Sequence, residues 1–132
     1  TQTTNKILDM VRAVTEKNQK RALDLYYDLL TLREPPMRIL FLLAKQFRQI
    51  CLTKKMSQEG LSQTEIASKL GVPSFVVRNL ASCARSYTVE ELENAVRDFV
   101  DAEEAVKTGT LGDVLSVELL IVKYSSARAV RA

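Results

Sequence analysis

The amino-acid sequence predicts an all-α fold, a single compact domain of about seven helices. Apolar residues recur at intervals of three and four along the chain, which is the period of a helix with one buried face. No segment shows the alternation of a half-buried strand, and only four glycines and three prolines occur in 132 residues. With 46% hydrophobic residues, a chain of this length can bury a substantial core.

The first two predicted helices are amphipathic. The first covers about residues 6–14, with Thr4 or Asn5 as its N-terminal cap. The second covers residues 20–32, and its polar and apolar residues separate cleanly onto two faces. Its apolar face consists of Ala22, Leu23, Tyr26, Leu29 and Leu30.

The third predicted helix is long and less clearly amphipathic. Pro35 and Pro36 suit its first turn, because proline presets φ and lacks an N–H group that would be unpaired there. The helix extends to about Met56, and Phe41 and Leu42 fall on its polar side. Such a helix is normally covered on several sides, so it is either central or in contact with a partner. Its core face is Leu40, Leu43, Ala44, Phe47, Ile50 and Cys51, and its polar face is Arg38, Lys45, Gln49 and Thr53.

The fourth and sixth helices are delimited by their end residues. Ser62-Gln63-Thr64-Glu65 and Thr88-Val89-Glu90-Glu91 are capping boxes, in which the hydroxyl and the carboxylate each accept a backbone N–H of the first turn. Gly71 and Gly109 suit the left-handed conformation that ends a helix. The core stripe of the sixth helix is Leu92, Ala95, Val96, Phe99, Glu103 and Val106. Within this stripe we expect Glu103 to be partly buried and paired with Lys107, a structural role.

The fifth and seventh helices complete the predicted domain. The fifth begins at Pro73 or Ser74, and its core face is Val76, Val77, Leu80, Ala84 and Tyr87. Phe75 lies off this face, so it either folds back onto a neighbouring helix or anchors an interface. The seventh runs from Val114 to about Tyr124, with Asp113 as its cap.

Composition argues against catalysis and cofactors. The chain has no histidine, no phosphate-binding glycine loop and no converged carboxylates, so we expect no catalytic, cofactor-binding or metal-binding residue. Cys51 and Cys83 fit neither a disulfide framework nor a metal pattern, and both are expected to be core thiols. No apolar run is long enough for a membrane span or a secretory core, which predicts a soluble, cytoplasmic protein. The chain starts at Thr1 rather than methionine, so it is expected to be part of a longer protein.

Charge is unevenly distributed. Residues 1–58 carry eleven Lys or Arg against five acids, a net charge of +6, whereas residues 88–113 carry two against eight, a net charge of −6. Such a chain could make head-to-tail contacts between unlike surfaces or steer a partner. Solvated helix faces of opposite sign explain the same pattern without any partner.

Residues 61–87 could also form a helix-turn-helix. A capped helix, a Leu70-Gly71-Val72 turn and a second helix are the parts of that motif. Residues 62–87 have a net charge of only +2, which is low for an element that neutralises several phosphates. The face that would read DNA is Phe75, Arg78, Asn79, Ser82 and Arg85.

Several segments together resemble one family. The runs are Glu34-Pro35-Pro36-Met37-Arg38, Ala44-Lys45-Gln46-Phe47-Arg48, Glu65-Ile66-Ala67 and Leu70-Gly71-Val72, followed by Val117-Glu118-Leu119-Leu120. Their order and spacing resemble the C-terminal helical domain of the delta subunit of the bacterial DNA polymerase III clamp loader. One departure is that Ser74 separates Pro73 from Phe75, where relatives commonly place proline directly before the aromatic residue. This departure concerns only the start of the fifth helix.

The resemblance implies a function in DNA replication. In that family the domain joins the equivalent domains of the motor and delta-prime subunits in a helical collar of five subunits. The collar holds the ATPase modules that open the sliding clamp and load it onto primed DNA. Residues 1–132 would then be the C-terminal collar domain of a longer protein, whose absent N-terminal ATPase-like module contacts the sliding clamp. The domain would meet DNA only indirectly, and no membrane or small-molecule substrate is implied.

The sequence thus predicts a non-catalytic oligomerisation domain within the DNA polymerase III holoenzyme, itself a DNA-directed DNA polymerase. Exposed apolar groups beside polar ones are typical of such interfaces. The candidate interface residues are Phe41, Leu42, Phe75, Arg78, Asn79 and Ser82. A helix-turn-helix DNA-binding regulator and a general helical adaptor remain the alternatives.

Overall fold

A computed structural model describes residues 2–127 of the chain. Within that range it contains seven helices and no strand, which confirms the all-α prediction. The helices are α1 (Gln2–Thr15), α2 (Gln19–Thr31), α3 (Pro36–Gln58), α4 (Gln63–Leu70), α5 (Ser74–Ala84), α6 (Val89–Lys107) and α7 (Asp113–Ser125). No helix of the described part is long and apolar enough to cross a membrane.

Helix α3 is the centre of the domain. It packs against α1, α4, α5, α6 and α7, which explains why its sequence has few polar positions in its first half. The fully buried ring of Phe47 lies in the middle of an aromatic cluster, with ring centroids 5.3 Å from Phe99, 5.7 Å from Tyr87 and 5.9 Å from Tyr124. These edge-to-face and tilted contacts join α3 to α6, to the α5–α6 turn and to α7.

Both predicted capping boxes are present. The Ser62 and Thr88 hydroxyls accept the N–H groups of Glu65 and Glu91 at 3.2 and 3.0 Å, and each carboxylate accepts the N–H of its cap residue. The capping hydrogen bonds lower the pKa of the Glu65 carboxyl. Helix α5 starts at Ser74 with Pro73 as its cap residue, so the unusual spacing before Phe75 leaves the helix intact.

Other helix ends differ from the prediction. Helix α1 begins at Gln2, so Thr4 and Asn5 lie inside it and do not cap it. The cap residue of α7 is Gly112, and Asp113 is the first helical residue, its carboxylate accepting the Val114 N–H at 2.7 Å. These ends were misplaced because several short polar residues in a row offer equivalent caps.

Two polar residues of the long helices also differ in burial from the prediction. Thr53, predicted on the polar face of α3, is only 1% exposed. The next residue, Lys54, donates from Nζ to the Ala84 carbonyl of α5 at 3.1 Å. Glu103 does pair with Lys107, at 3.3 Å, but its side chain is 49% exposed and not buried. Glu103 lies in the C-terminal part of α6, beyond Phe99, the last buried residue of that helix.

Hydrogen bonds join the segment between α1 and α2 to the end of α7. Gln19 Nε2 donates to the Val122 carbonyl at 3.0 Å, and Lys17 Nζ donates to the Tyr124 carbonyl at 3.2 Å. The buried Tyr87 hydroxyl donates to the same Tyr124 carbonyl at 2.7 Å. Side chains from the α1–α2 turn, from the first residue of α2 and from the α5–α6 turn therefore donate to carbonyl groups in the last turn of α7. Carbonyl groups at a helix C-terminus have no partner within the helix.

Candidate subunit interface

The first candidate surface is a groove between α1, α3 and α5, here called the Phe75 groove. Its volume is about 480 Å³. The apolar part of its lining is Leu8, Val11, Ile50, Phe75, Val76, Leu80 and Cys83. Its polar part is Arg12, Thr15, Glu16, Gln46, Asn79, Ser82 and Ser86. A groove lined by apolar and polar side chains together has a composition expected of a protein contact surface.

Phe75 itself is at the rim of this groove. The residue is 57% exposed in the first turn of α5, and Leu8 of α1, 39% exposed, also lines the groove. Phe75 therefore lines the groove without being covered by a neighbouring helix. Truncating it should remove little buried area from the isolated domain.

Only some of the other α5 candidates face the Phe75 groove. Asn79 and Ser82 line the Phe75 groove, but Arg78 does not line it. Arg78 is exposed and forms no ion pair with any residue of the described chain. Three of the five residues of the possible DNA-reading face thus line a groove that α1 and α3 complete.

The second candidate surface lies between α3 and α6, here called the Phe41 groove. Phe41 is 59% exposed and Val100 is 64% exposed, and both line a cavity of about 190 Å³. A second cavity, of about 260 Å³, shares Arg48 and Val96 with the first. Together they form one groove along α3 and α6.

Leu42 does not belong to the Phe41 groove. It is partly buried and packs against the main core, whereas Phe41 is mostly exposed. Successive residues on a helix point about 100° apart, so these neighbours face different surroundings. The structure thus separates the two residues that the sequence placed on one side.

The two grooves lie on opposite sides of α3. Gln46 and Ile50 line the Phe75 groove, and Phe41, Ala44 and Arg48 line the Phe41 groove. On a helical projection the two sets are centred about 180° apart. Phe75, Asn79 and Ser82 therefore lie on one side of α3 and Phe41 on the other. Arg78 and Leu42 line neither groove.

The thiols and acids give no indication of a chemical site. Cys51 is buried, which raises the pKa of its thiol, and Cys83 is partly buried; both are free. Within residues 2–127, no three His, Cys, Asp or Glu side chains are grouped so that they could hold a metal ion. The structural roles that the sequence predicted for both cysteines agree with this burial.

The structure has a third exposed apolar surface, which the sequence analysis did not predict. Val114, Leu115 and Leu119 on α7 are 43%, 47% and 50% exposed. The signal in the sequence was that residues 114–122 are apolar at every position except Ser116 and Glu118. A helix with so few polar positions is normally covered on several sides.

Three comparisons with known proteins agree with one another. The family model described as DNA polymerase III delta subunit, C-terminal domain, matches residues 4–124. The chain is 31% identical over 117 residues to the DNA polymerase III subunit delta of Bacillus subtilis (strain 168), covering 89% of this chain and 34% of that protein.

The fold also matches a solved structure, that of the Bacillus subtilis DNA clamp loader delta protein (YqeN). The TM-score is 0.83 at 30% identity, over 91% of this chain and 35% of that chain. The chain thus spans about a third of the length of these relatives. The chain belongs to the family of the C-terminal domain of the DNA polymerase III delta subunit, a component of the bacterial clamp loader.

Proposed function

We propose that this domain is the oligomerisation domain of a clamp-loader delta subunit. In this role it joins the collar domains of the motor and delta-prime subunits and so supports loading of the sliding clamp onto primed DNA. The family membership supplies the clamp-loader context. The surface of the domain supplies the means of assembly.

The observation that carries the proposal is the placement of the two grooves on opposite sides of α3. A subunit within a ring must contact one neighbour on each side, through two different surfaces. Phe75 and Phe41 are both more than half exposed in these grooves, and large aromatic residues are frequent binding hot spots. Each groove is therefore assigned to one neighbour.

The proposal also covers the rest of the protein. The sliding clamp would be contacted by an N-terminal module, since the chain spans only about a third of its relatives. The domain contributes no catalytic group to the polymerase and works in the cytoplasm, where the chromosome is replicated. Purified fragment should hydrolyse no ATP above a buffer blank, and measurable turnover would contradict this assignment.

Phe75→Ala tests the first groove. In the full-length protein, this variant should weaken binding to a purified motor subunit by at least about tenfold, because truncating an aromatic anchor removes a large contact. The melting temperature of the isolated domain should stay nearly unchanged, since the side chain is 57% exposed. Binding is measured by isothermal titration calorimetry and melting by circular dichroism.

Leu32→Ala is the matched control. Leu32 is 59% exposed and lines neither groove, so its variant should bind like the wild type. Phe41→Ala should reduce assembly through the other groove and leave the Phe75-dependent contact intact. If Phe75→Ala lowers the melting temperature and leaves assembly alone, Phe75 belongs to the core and the proposal for this groove is wrong.

The DNA-binding alternative has its own test. A regulator would select a consensus from random duplexes, and Arg78→Ala would lower its affinity for that site by about 1–3 kcal/mol relative to scrambled DNA. We expect the selection to return no consensus. A recovered motif would favour the helix-turn-helix function instead.

A further inference from the structure

Helix α7 presents an apolar strip to solvent, here called the α7 outer face. It consists of four apolar residues and one acid, of which Val114, Leu115 and Leu119 are exposed and Glu118 and Val122 are partly buried. The opposite face of the same helix supplies Val117, Ile121 and Tyr124 to the core, each no more than 1% exposed. The outer face therefore adds apolar surface that the fold of the described chain leaves uncovered.

The neighbouring helix α2 extends this surface. Tyr27 is 44% exposed, and partial covering of its side chain together with the nearby Glu118 carboxylate raises the pKa of its phenol. Beneath it, the Tyr26 hydroxyl donates to the Val114 carbonyl at 2.7 Å, which holds α2 and α7 side by side. Leu23 and Leu30 of α2 pack against the main core and are only partly buried. The exposed strip is thus part of a two-helix surface.

Glu118 is the only charged residue of the strip. It forms no ion pair with any cation of residues 2–127, and the Tyr27 phenol of α2 is a polar group near it. Covering the strip would remove water from this carboxylate, which is costly unless a cation replaces the water. Whatever covers the α7 outer face must therefore bring a Lys or Arg to Glu118.

This requirement argues against two occupants. A second copy of the chain, related by a twofold axis through the strip, would bring two Glu118 carboxylates into one apolar contact. An anionic membrane surface would meet Glu118 with no Lys or Arg in the strip to attract it, and Lys123 at its edge is bound to Asp98 at 2.7 Å. Charge thus favours a different protein with a basic group among its apolar contacts.

We propose that the α7 outer face binds a helix of a neighbouring clamp-loader subunit. That helix places a Lys or Arg against Glu118 and apolar side chains against Leu115 and Leu119. This inference rests on the proposed oligomerisation function and adds a third contact surface, separate from both grooves. It also specifies the chemistry of the residue that the neighbour must supply.

The test uses the full-length protein with purified motor and delta-prime subunits. Leu119→Ser and Glu118→Arg should each weaken binding to one of these subunits by at least about tenfold, because one removes an apolar contact and the other places like charges together. Glu104→Arg, the same charge change on the exposed side of α6, is the matched control and should bind like the wild type. Circular dichroism melting of each variant checks that the fold is retained.

A charge exchange makes the test decisive. Changing the matching Lys or Arg of the neighbour to Glu should restore binding to the Glu118→Arg variant, and a scan of the neighbour's basic collar residues will find it. If folded Leu119→Ser and Glu118→Arg bind as tightly as the wild type while Phe75→Ala does not, this inference is overturned and the oligomerisation function stands. If the wild-type protein binds neither subunit, both proposals fall.

Two further measurements test whether a second copy of the chain or an anionic membrane covers the α7 outer face instead. Sedimentation of the wild-type chain would overturn the inference if it showed a dimer that Leu119→Ser abolishes. Binding to vesicles with 30% phosphatidylserine, lost in the same variant, would also overturn it. We expect neither result.

Discussion

Helices α3 and α7 have similar sequences in one respect, since both lack a continuous polar face, yet their surroundings differ. Five other helices pack on α3 and leave Phe41 and Leu52 as its large exposed apolar side chains, whereas α7 packs on α1, α2, α3 and α6 and leaves its outer face in solvent. Apolar residues on all sides of a helix are normally covered by other protein surface. They do not indicate whether the cover belongs to the same chain or to another.

The largest effect should come from the centre of α3. Phe47→Ala removes a fully buried ring that contacts Tyr87, Phe99 and Tyr124, and should lower the free energy of unfolding by about 3–5 kcal/mol. Urea denaturation followed by circular dichroism measures this loss. A cost below about 1 kcal/mol would mean that the core can collapse around the gap, and α3 would then not be the structural centre.

Two adjacent leucines on α7 give a sharper comparison. Leu120 is 8% exposed and Leu119 is 50% exposed, so the same substitution probes the inner and the outer face of one helix. Leu120→Ala should cost about 2–5 kcal/mol of stability in the isolated domain. Leu119→Ala should change it by no more than about 0.5 kcal/mol. Equal losses would show that the outer face is needed for the fold.

Each of the two helices also buries one hydroxyl group that forms no hydrogen bond with the described chain. These groups are Thr53 Oγ1 on α3 and Ser116 Oγ on α7. Thr53→Val and Ser116→Ala should each raise the stability by about 1 kcal/mol, because an unsatisfied polar group is removed with little change of shape. A loss of stability in denaturant titrations would instead point to a bound water as the missing partner.

The smallest effect concerns the Tyr27 and Glu118 pair at the edge of the α7 outer face. Partial covering of the Tyr27 side chain and the adjacent Glu118 carboxylate both raise the pKa of its phenol. Glu118→Gln removes the negative charge, so the pKa of Tyr27 should fall toward its ordinary value. NMR titration of the ¹³Cζ-labelled tyrosines follows the change. An unchanged pKa would mean that the two side chains are apart in solution.

Local chemistry made much of the fold predictable from sequence. The capping boxes at Ser62 and Thr88 and the left-handed glycines Gly71 and Gly109 mark helix ends through interactions within a few residues. Lys17 and Arg33 adopt the same left-handed conformation, with φ of 62° at each. The Lys17 and Arg33 side chains do not predict this backbone conformation, because the turns there are set by packing of the flanking helices.

The candidate interface was harder to predict. Helical period separates inside from outside, and it correctly identified Phe75 and Phe41 as outward residues. It could not show that Leu42 turns toward the core, or that Phe75, Asn79 and Ser82 line one side of α3 and Phe41 the other. Those facts depend on which helices pack together, and that information is carried by contacts between distant parts of the chain.

The side chains that hold the end of α7 also constrain how the domain is made. Gln19 and Lys17 bind carbonyl groups that follow them by 103 and 107 residues in sequence. On the ribosome, α1 and α2 emerge before the rest of this domain and must remain without this partner until nearly the whole domain has been translated. Loop closure over such a span is slow, so we expect the nascent domain to be a chaperone client until α7 leaves the exit tunnel.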